Sequence, residues 1–101
     1  MGNFLKQIEK IKQKLLEHLP VLKEEFKVEE IGIFGSHIRG EAHEASDLDL
    51  LVSVDLSIDL LKFIELENYL SEVLGVRVDL VMKDSLKPHL GKQILREVVY
   101  I

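Results

Sequence analysis

The chain contains no cysteine, which removes a disulfide framework, thiolate chemistry and any Cys-based zinc site, and is compatible with a cytoplasmic location. It also lacks an excess of positive charge. Thirteen Lys and Arg against eighteen Asp and Glu leave a net charge of −5, so there is no cationic surplus to displace counterions from a phosphate backbone, and direct nucleic-acid binding is not expected. Long apolar runs are missing as well. Lys6, Lys10, Lys12 and Lys14 interrupt residues 1–20, which excludes a signal-peptide core and a membrane span there. No internal repeat, low-complexity segment or flexible linker is present. What remains is ordinary for a globular protein: 101 residues, 47% hydrophobic and 31% charged. Residues 1–101 are therefore expected to form a single domain around one modest core.

Hydrophobic spacing predicts an alternation of helices and strands. Leu5, Ile8, Ile11 or Lys12, Leu15 and Leu19 recur at helical intervals, giving an amphipathic helix over residues 3–18 that Pro20 interrupts, with a further turn or two over residues 21–26. Residues 28–34 read as a strand ended by Gly35, residues 36–40 as one short helical turn, and residues 41–46 as a polar loop. The second strand spans residues 48–54, aliphatic on both faces as a central strand requires. Asp55, Ser57 and Asp59 are candidate N-caps for a helix through Leu60, Leu61, Ile64, Leu66, Leu70, Val73 and Leu74, with Gly75 suited to its left-handed C-terminal cap. Residues 76–82 alternate as a third strand that turns Asp79 away from Val78 and Leu80. After a turn at Asp84-Ser85, Pro88 opens a last helix running to about Val99, with Leu90, Ile94, Leu95 and Val98 as its apolar stripe. The expected class is α/β (α+β), a small mixed sheet with helices packed against it.

The chemistry-bearing pattern is Gly35-Ser36, ten further residues, and then Asp47-Leu48-Asp49. Alternation along a strand projects Asp47 and Asp49 from one face, about 7 Å apart, a spacing at which two carboxylates can share one or two divalent ions. The short link between strands one and two favours antiparallel neighbours, and the long helix between strands two and three permits a right-handed parallel crossover. Asp79 would then approach Asp47 and Asp49 near the Gly35-Ser36 turn. Three hard oxygen donors beside a phosphate-binding turn suit magnesium. Phosphoryl or nucleotidyl transfer needs this arrangement, with Asp47 and Asp49 bridging two ions and Asp79 on the side of the attacking hydroxyl. Backbone N–H groups of Gly35 and Ser36, with the Ser36 hydroxyl, would cradle the phosphates, and a Cβ at Gly35 would hinder their approach.

The segment Gly35-Ser36-His37-Ile38-Arg39-Gly40-Glu41-Ala42, followed by Ser46-Asp47-Leu48-Asp49-Leu50-Leu51-Val52, resembles the signature of the DNA polymerase beta-like nucleotidyltransferase superfamily. The short chain is most similar to its minimal nucleotidyltransferase branch. The resemblance runs from about Val28 to the C-terminus and includes Val78-Asp79-Leu80-Val81 and the closing Ile94-Leu95-Arg96-Glu97. It implies a polymerase beta-like core and an adenylyltransferase that uses ATP as substrate and Mg2+, with two ions held by Asp47, Asp49 and Asp79. Gly35 and Ser36 would form the phosphate turn, with Arg39 and Ser46 beside the nucleotide. Family members of this size are often antitoxins that neutralise a HEPN-domain RNase toxin by adding AMP to one of its tyrosines. No substrate domain is expected after Ile101, which leaves the acceptor to a partner chain.

Each of these residues has a plainer reading. An Asp-x-Asp pair at a strand end is commonly solvated, and Asp79 could be an outward acid on an exposed sheet face. Ser36 could cap the short helix, Arg39 could pair with a nearby carboxylate, and Ser46 could hydrogen-bond within its loop. His18, His37, His43 and His89 are scattered and read as surface residues, although His37, at a variable position of the motif, and His43 flank the proposed pocket. Phe63, Tyr69, Tyr100 and the edge of the last helix are candidates for a partner surface. Three roles stay open from the residues alone: an active adenylyltransferase, a catalytically idle nucleotide-binding module, and an antitoxin that acts by docking. A homo-oligomer is compatible with all three.

Overall fold

The computed structural model describes residues 2–42 and 46–101, with side chains from residue 7 onward; His43 and the side chain of Leu5 lie outside the described residues. Helix α1 (Gly2–Glu17) and helix α2 (Leu19–Glu24) are separated at His18. Pro20 sits in the first turn of α2, where its missing N–H costs nothing. Strand β1 (Val28–Phe34), the one-turn helix α3 (Ser36–Arg39) and strand β2 (Leu48–Val54) follow. Helix α4 (Leu60–Leu74) is capped by Asp59, whose carboxylate accepts the Lys62 N–H at 2.8 Å, and ends at Gly75 in the left-handed conformation. Of the other two cap candidates, Asp55 accepts the Ser57 N–H at 2.8 Å and so closes the preceding turn instead.

Strand β3 is Val78–Met82, two residues shorter at its start than the alternation suggests. Leaving the Gly75 cap takes up those residues, and pairing begins where the Leu48 N–H reaches the Arg77 carbonyl at 2.8 Å. The sheet order is β3-β2-β1-β4, with β4 the two-residue strand Val99–Tyr100. β1 and β2 are antiparallel, while β2 and β3 are parallel across the α4 crossover. α4 also protects the open edge of β3: the Ser71 hydroxyl accepts the Val78 N–H and the Glu67 carboxylate accepts the Leu80 N–H, both at 3.1 Å.

The last helix, α5, is Pro88–Glu97 and stops before the expected end. Val98 is extended, and Val99 and Tyr100 pair antiparallel with Ile33 and Gly32 on the free edge of β1. A side chain at Gly32 would run into Val98 and Tyr100, so the glycine makes room for this strand. The expected stripe of α5 is not buried as a stripe. Leu90 and Leu95 are exposed, Ile94 is half-buried, and the buried residue is Gly91, packed under Leu86.

Alternation along the strands divides the sheet into two faces. One face carries Ile31, Ile33, Leu48, Leu50, Val52, Val78 and Leu80 into a core shared with Ile11 and Leu15 of α1, Leu22 of α2, and Leu66, Leu70 and Leu74 of α4. The other face presents Phe34, Asp49, Asp79 and Val81 toward α5. Among the described residues, no helix is long and apolar enough to cross a membrane.

Candidate active site

The register sets the chemistry. Parallel pairing of β2 with β3 puts Asp49 directly beside Asp79, and antiparallel pairing of β1 with β2 puts Phe34 opposite Asp49. Gly35, the next residue, therefore emerges from β1 against the Asp49 carboxylate. A Cβ built on Gly35 would strike that carboxylate, and the backbone there has φ +81°, a conformation that L side chains rarely adopt. The glycine is needed first because an acid occupies the space, before any question of a phosphate.

A cavity of about 540 Å³ opens over these residues. Phe34, Gly35, Asp49, Asp79 and Val81 form its sheet wall; Arg39 stands at one side, and Leu90, Ile94 and Glu97 of α5 stand opposite. Ser36, Asp47 and Ser46 are not part of this wall.

Asp49 is the electrostatic centre. Its pKa is pushed up to about 6, chiefly by burial, then by the charges of Asp79 and Asp47 and a hydrogen bond with Asp79, with Arg39 opposing. A carboxylate crowded in this way favours a bound cation or a proton. Asp47, one residue before β2, is exposed and acts on Asp49 through its charge. Among the described residues, no three acidic or imidazole groups converge into a ready cation cage. Thus the structure brings Asp49 and Asp79 together and leaves Asp47 at the rim. The donor set fits magnesium, which takes few protein carboxylates and fills its shell with water and phosphate oxygens.

His37 and Ser36 differ from their plainer readings, whereas Arg39 pairs with carboxylates as its plainer reading expects. His37 is not a surface histidine: it is 3% exposed. Its ring donates to the backbone of Asp47, its Nδ1 has no partner among the described residues, and burial pulls its pKa below the ordinary value. The ring thereby ties the helix after the glycine turn to the first acid of the pair. Ser36 is the first residue of α3, and Gly35 takes the N-cap position, its carbonyl accepting the Ile38 and Arg39 N–H groups at 3.0 and 3.1 Å. Arg39 is ion-paired on both sides, through Nε to Glu41 at 2.7 Å and through Nη1 to Glu97 at 3.0 Å.

The Gly35 N–H donates to the Glu97 carboxylate at 2.6 Å. In the sequence Glu97 stands only within the closing Ile94-Leu95-Arg96-Glu97 segment, and nothing local marks it, because the partners lie 58 and 62 residues away. Ser46 is half-buried and interacts within the structure. Among the other histidines, His89 is exposed, whereas His18 is half-buried, its Nδ1 2.8 Å from the Tyr69 hydroxyl. Tyr69 also packs on Phe26, so it braces the core edge.

Residues 8–101 match the model of the nucleotidyltransferase domain family. The chain belongs to the nucleotidyltransferase domain family. The match reaches back over most of α1, beyond the Val28 limit of the motif resemblance. The nucleotidyltransferase is 56% identical over 94 residues to the protein adenylyltransferase MntA of Thermococcus cleftensis, covering 93% of this chain and 95% of that one. Among solved structures it resembles a candidate minimal nucleotidyltransferase, at 36% identity and TM-score 0.74, covering 95% of this chain and 93% of the other. It also resembles a chain of a toxin–antitoxin complex solved with AMP-PNP, at 28% identity and TM-score 0.64, over 94% of this chain and 69% of the other. A Shewanella oneidensis complex of a tri-AMPylated HEPN toxin with its MNT antitoxin matches at 25% identity and TM-score 0.59, over 96% and 70%. The mixed four-stranded sheet of this nucleotidyltransferase shares its fold with the minimal nucleotidyltransferase among these neighbours.

Proposed function

We propose that this nucleotidyltransferase is a Mg2+-dependent protein adenylyltransferase that moves AMP from ATP to a tyrosine hydroxyl of a HEPN-type toxin and so acts as its cytoplasmic antitoxin. The observation that carries this reading is the Asp49–Asp79 pair on adjacent parallel strands, with Gly35 packed on Asp49 and a cavity above them. The names of the relatives, the AMP-PNP complex and the AMPylated toxin support it.

Asp47, Asp49 and Asp79 would hold magnesium, which supplies charge neutralisation at the phosphates and lowers the pKa of the acceptor hydroxyl. The acceptor oxygen attacks the α-phosphorus and forms a new P–O bond. The bond to the bridging α–β oxygen breaks, and pyrophosphate leaves with that electron pair. Asp79 faces the cavity beside Asp49 and is placed to take the hydroxyl proton. Arg39 and the Gly35-Ser36 turn lie on the side where the polyphosphate would rest. The apolar wall of Phe34, Val81, Leu90 and Ile94 suits an aromatic acceptor and sheds water from the reacting centre.

Incubating the purified chain with the cognate toxin, ATP and magnesium should add AMP units to the toxin by intact mass, at a tyrosine by peptide mapping. Asp49→Asn should stop the addition. A toxin that is neutralised but never gains mass would instead identify docking as the mechanism, a reading favoured by the exposed apolar Leu56, Leu60 and Leu61.

A further inference from the structure

Glu97 takes no part in the transfer chemistry described above, yet its carboxylate reaches the centre of the site from the end of α5. Its Oε2 accepts the Gly35 N–H at 2.6 Å and Arg39 Nη1 at 3.0 Å, and its Oε1 accepts the same Nη1 at 3.2 Å. Gly35 in turn lies against the Asp49 carboxylate. Glu97, Gly35 and Asp49 therefore form one row of contacts across the mouth of the cavity. The φ of +81° and ψ of −153° at Gly35 belong to a region that only glycine uses freely, so its own torsions restrain this peptide weakly. The restraint comes from outside. Glu97 is well placed to supply it, because it ends α5 and β4, paired to β1, begins two residues later.

We propose that Glu97 is a positioning residue for nucleotidyl transfer: by accepting the Gly35 N–H it holds that peptide and sets the place of the Asp49 carboxylate. This rests on the adenylyltransferase reading. The opposite role, a carboxylate that occupies donors the triphosphate needs, predicts the opposite sign of effect.

The test uses the full chain as wild type, Glu97→Gln, Glu97→Asp and Glu97→Ala. Binding of α,β-methylene ATP with magnesium is measured by calorimetry, and kcat and KM for ATP are measured with the toxin. Glutamine keeps an acceptor for the Gly35 N–H, aspartate is one methylene too short to reach it, and alanine offers none. Glu97→Ala and Glu97→Asp should lower kcat by about tenfold or more, as misplacement of a reacting group does, and Glu97→Gln should stay within about threefold of wild type. A merely structural helix-end residue would not give this ordering at matched melting temperatures. Wild-type kcat in Glu97→Asp overturns the proposal, as does a glutamine variant that falls as far as the aspartate one. Tighter analogue binding in any variant also overturns it, by showing that the carboxylate competes with phosphate. Should Glu97→Ala fail to fold, the comparison of glutamine with aspartate decides alone. A wild type that neither binds the analogue nor transfers AMP instead removes the functional reading beneath.

Discussion

Asp49→Asn should make the metal-free protein more stable while destroying its activity, and the effect should depend on pH in a defined sense. The Asp49 carboxyl titrates near 6 in the fold against an ordinary value of 3.8, with burial and the charges of Asp79 and Asp47 responsible. Between those two values the folded state binds more protons than the unfolded state. Wild-type stability must therefore fall as pH rises from about 4 to about 6, and then level off. At full strength a shift of this size corresponds to roughly 3 kcal/mol. Asp49 is half-buried, so solvent screening brings the realistic figure to about 1–2 kcal/mol.

Asparagine carries no charge at any of these pH values. The variant should melt higher than wild type at pH 8 in chelator, by roughly 5–10 °C for a domain of this size, and the gap should close by pH 4. Adding magnesium with ATP at pH 8 should raise the melting temperature of wild type and leave the variant unmoved. Differential scanning calorimetry in both buffers provides the measurement. An asparagine variant that is equally destabilised at pH 8 and pH 4 would refute the crowding of these acids, and with it the argument for a cation between them.

Gly35→Ala combines a disfavoured positive φ with a collision against Asp49, so it should cost at least about 2 kcal/mol in chemical denaturation and abolish transfer; a stable, active variant would mean the turn is held differently. His37→Phe fills the same buried space and loses the ring's bond to Asp47, with no partner lost at Nδ1. Its stability should stay within about 1 kcal/mol of wild type, while the transfer rate falls roughly tenfold. An unchanged rate would leave His37 as core packing alone. Asp59→Ala removes the cap of α4 and should cost about 1 kcal/mol with transfer per folded molecule unchanged, read by urea unfolding and the mass assay.

Local signals carried much of the fold. Strands β1 and β2 and helix α4 fall within the bounds that their apolar periodicity and the Gly35, Asp59 and Gly75 punctuation imply, because alternation and caps are short-range properties of the chain. The parallel pairing of β2 with β3 was also within reach, since a crossover helix leaves few other topologies. β4 was not: Val98-Val99-Tyr100 continues a helical stripe on paper, and only the open edge of β1 converts it into a strand.

The site divides along the same line. The residue types and spacings of Gly35, Asp47, Asp49 and Asp79 pointed to phosphate and metal chemistry, because the demand for carboxylates beside a glycine turn is chemical and can be read from a string of letters. The contacts that tune those groups needed the fold. Glu97 against Gly35, His37 buried beneath Asp47, and Asp49 raised by Asp79 join residues 10 to 62 positions apart. Burial and through-space charge are set by which segments meet, and a linear pattern does not encode that meeting. The chain's own letters therefore decided which chemistry was on offer, and packing decided which acid is crowded, which histidine is hidden and which glutamate holds the turn.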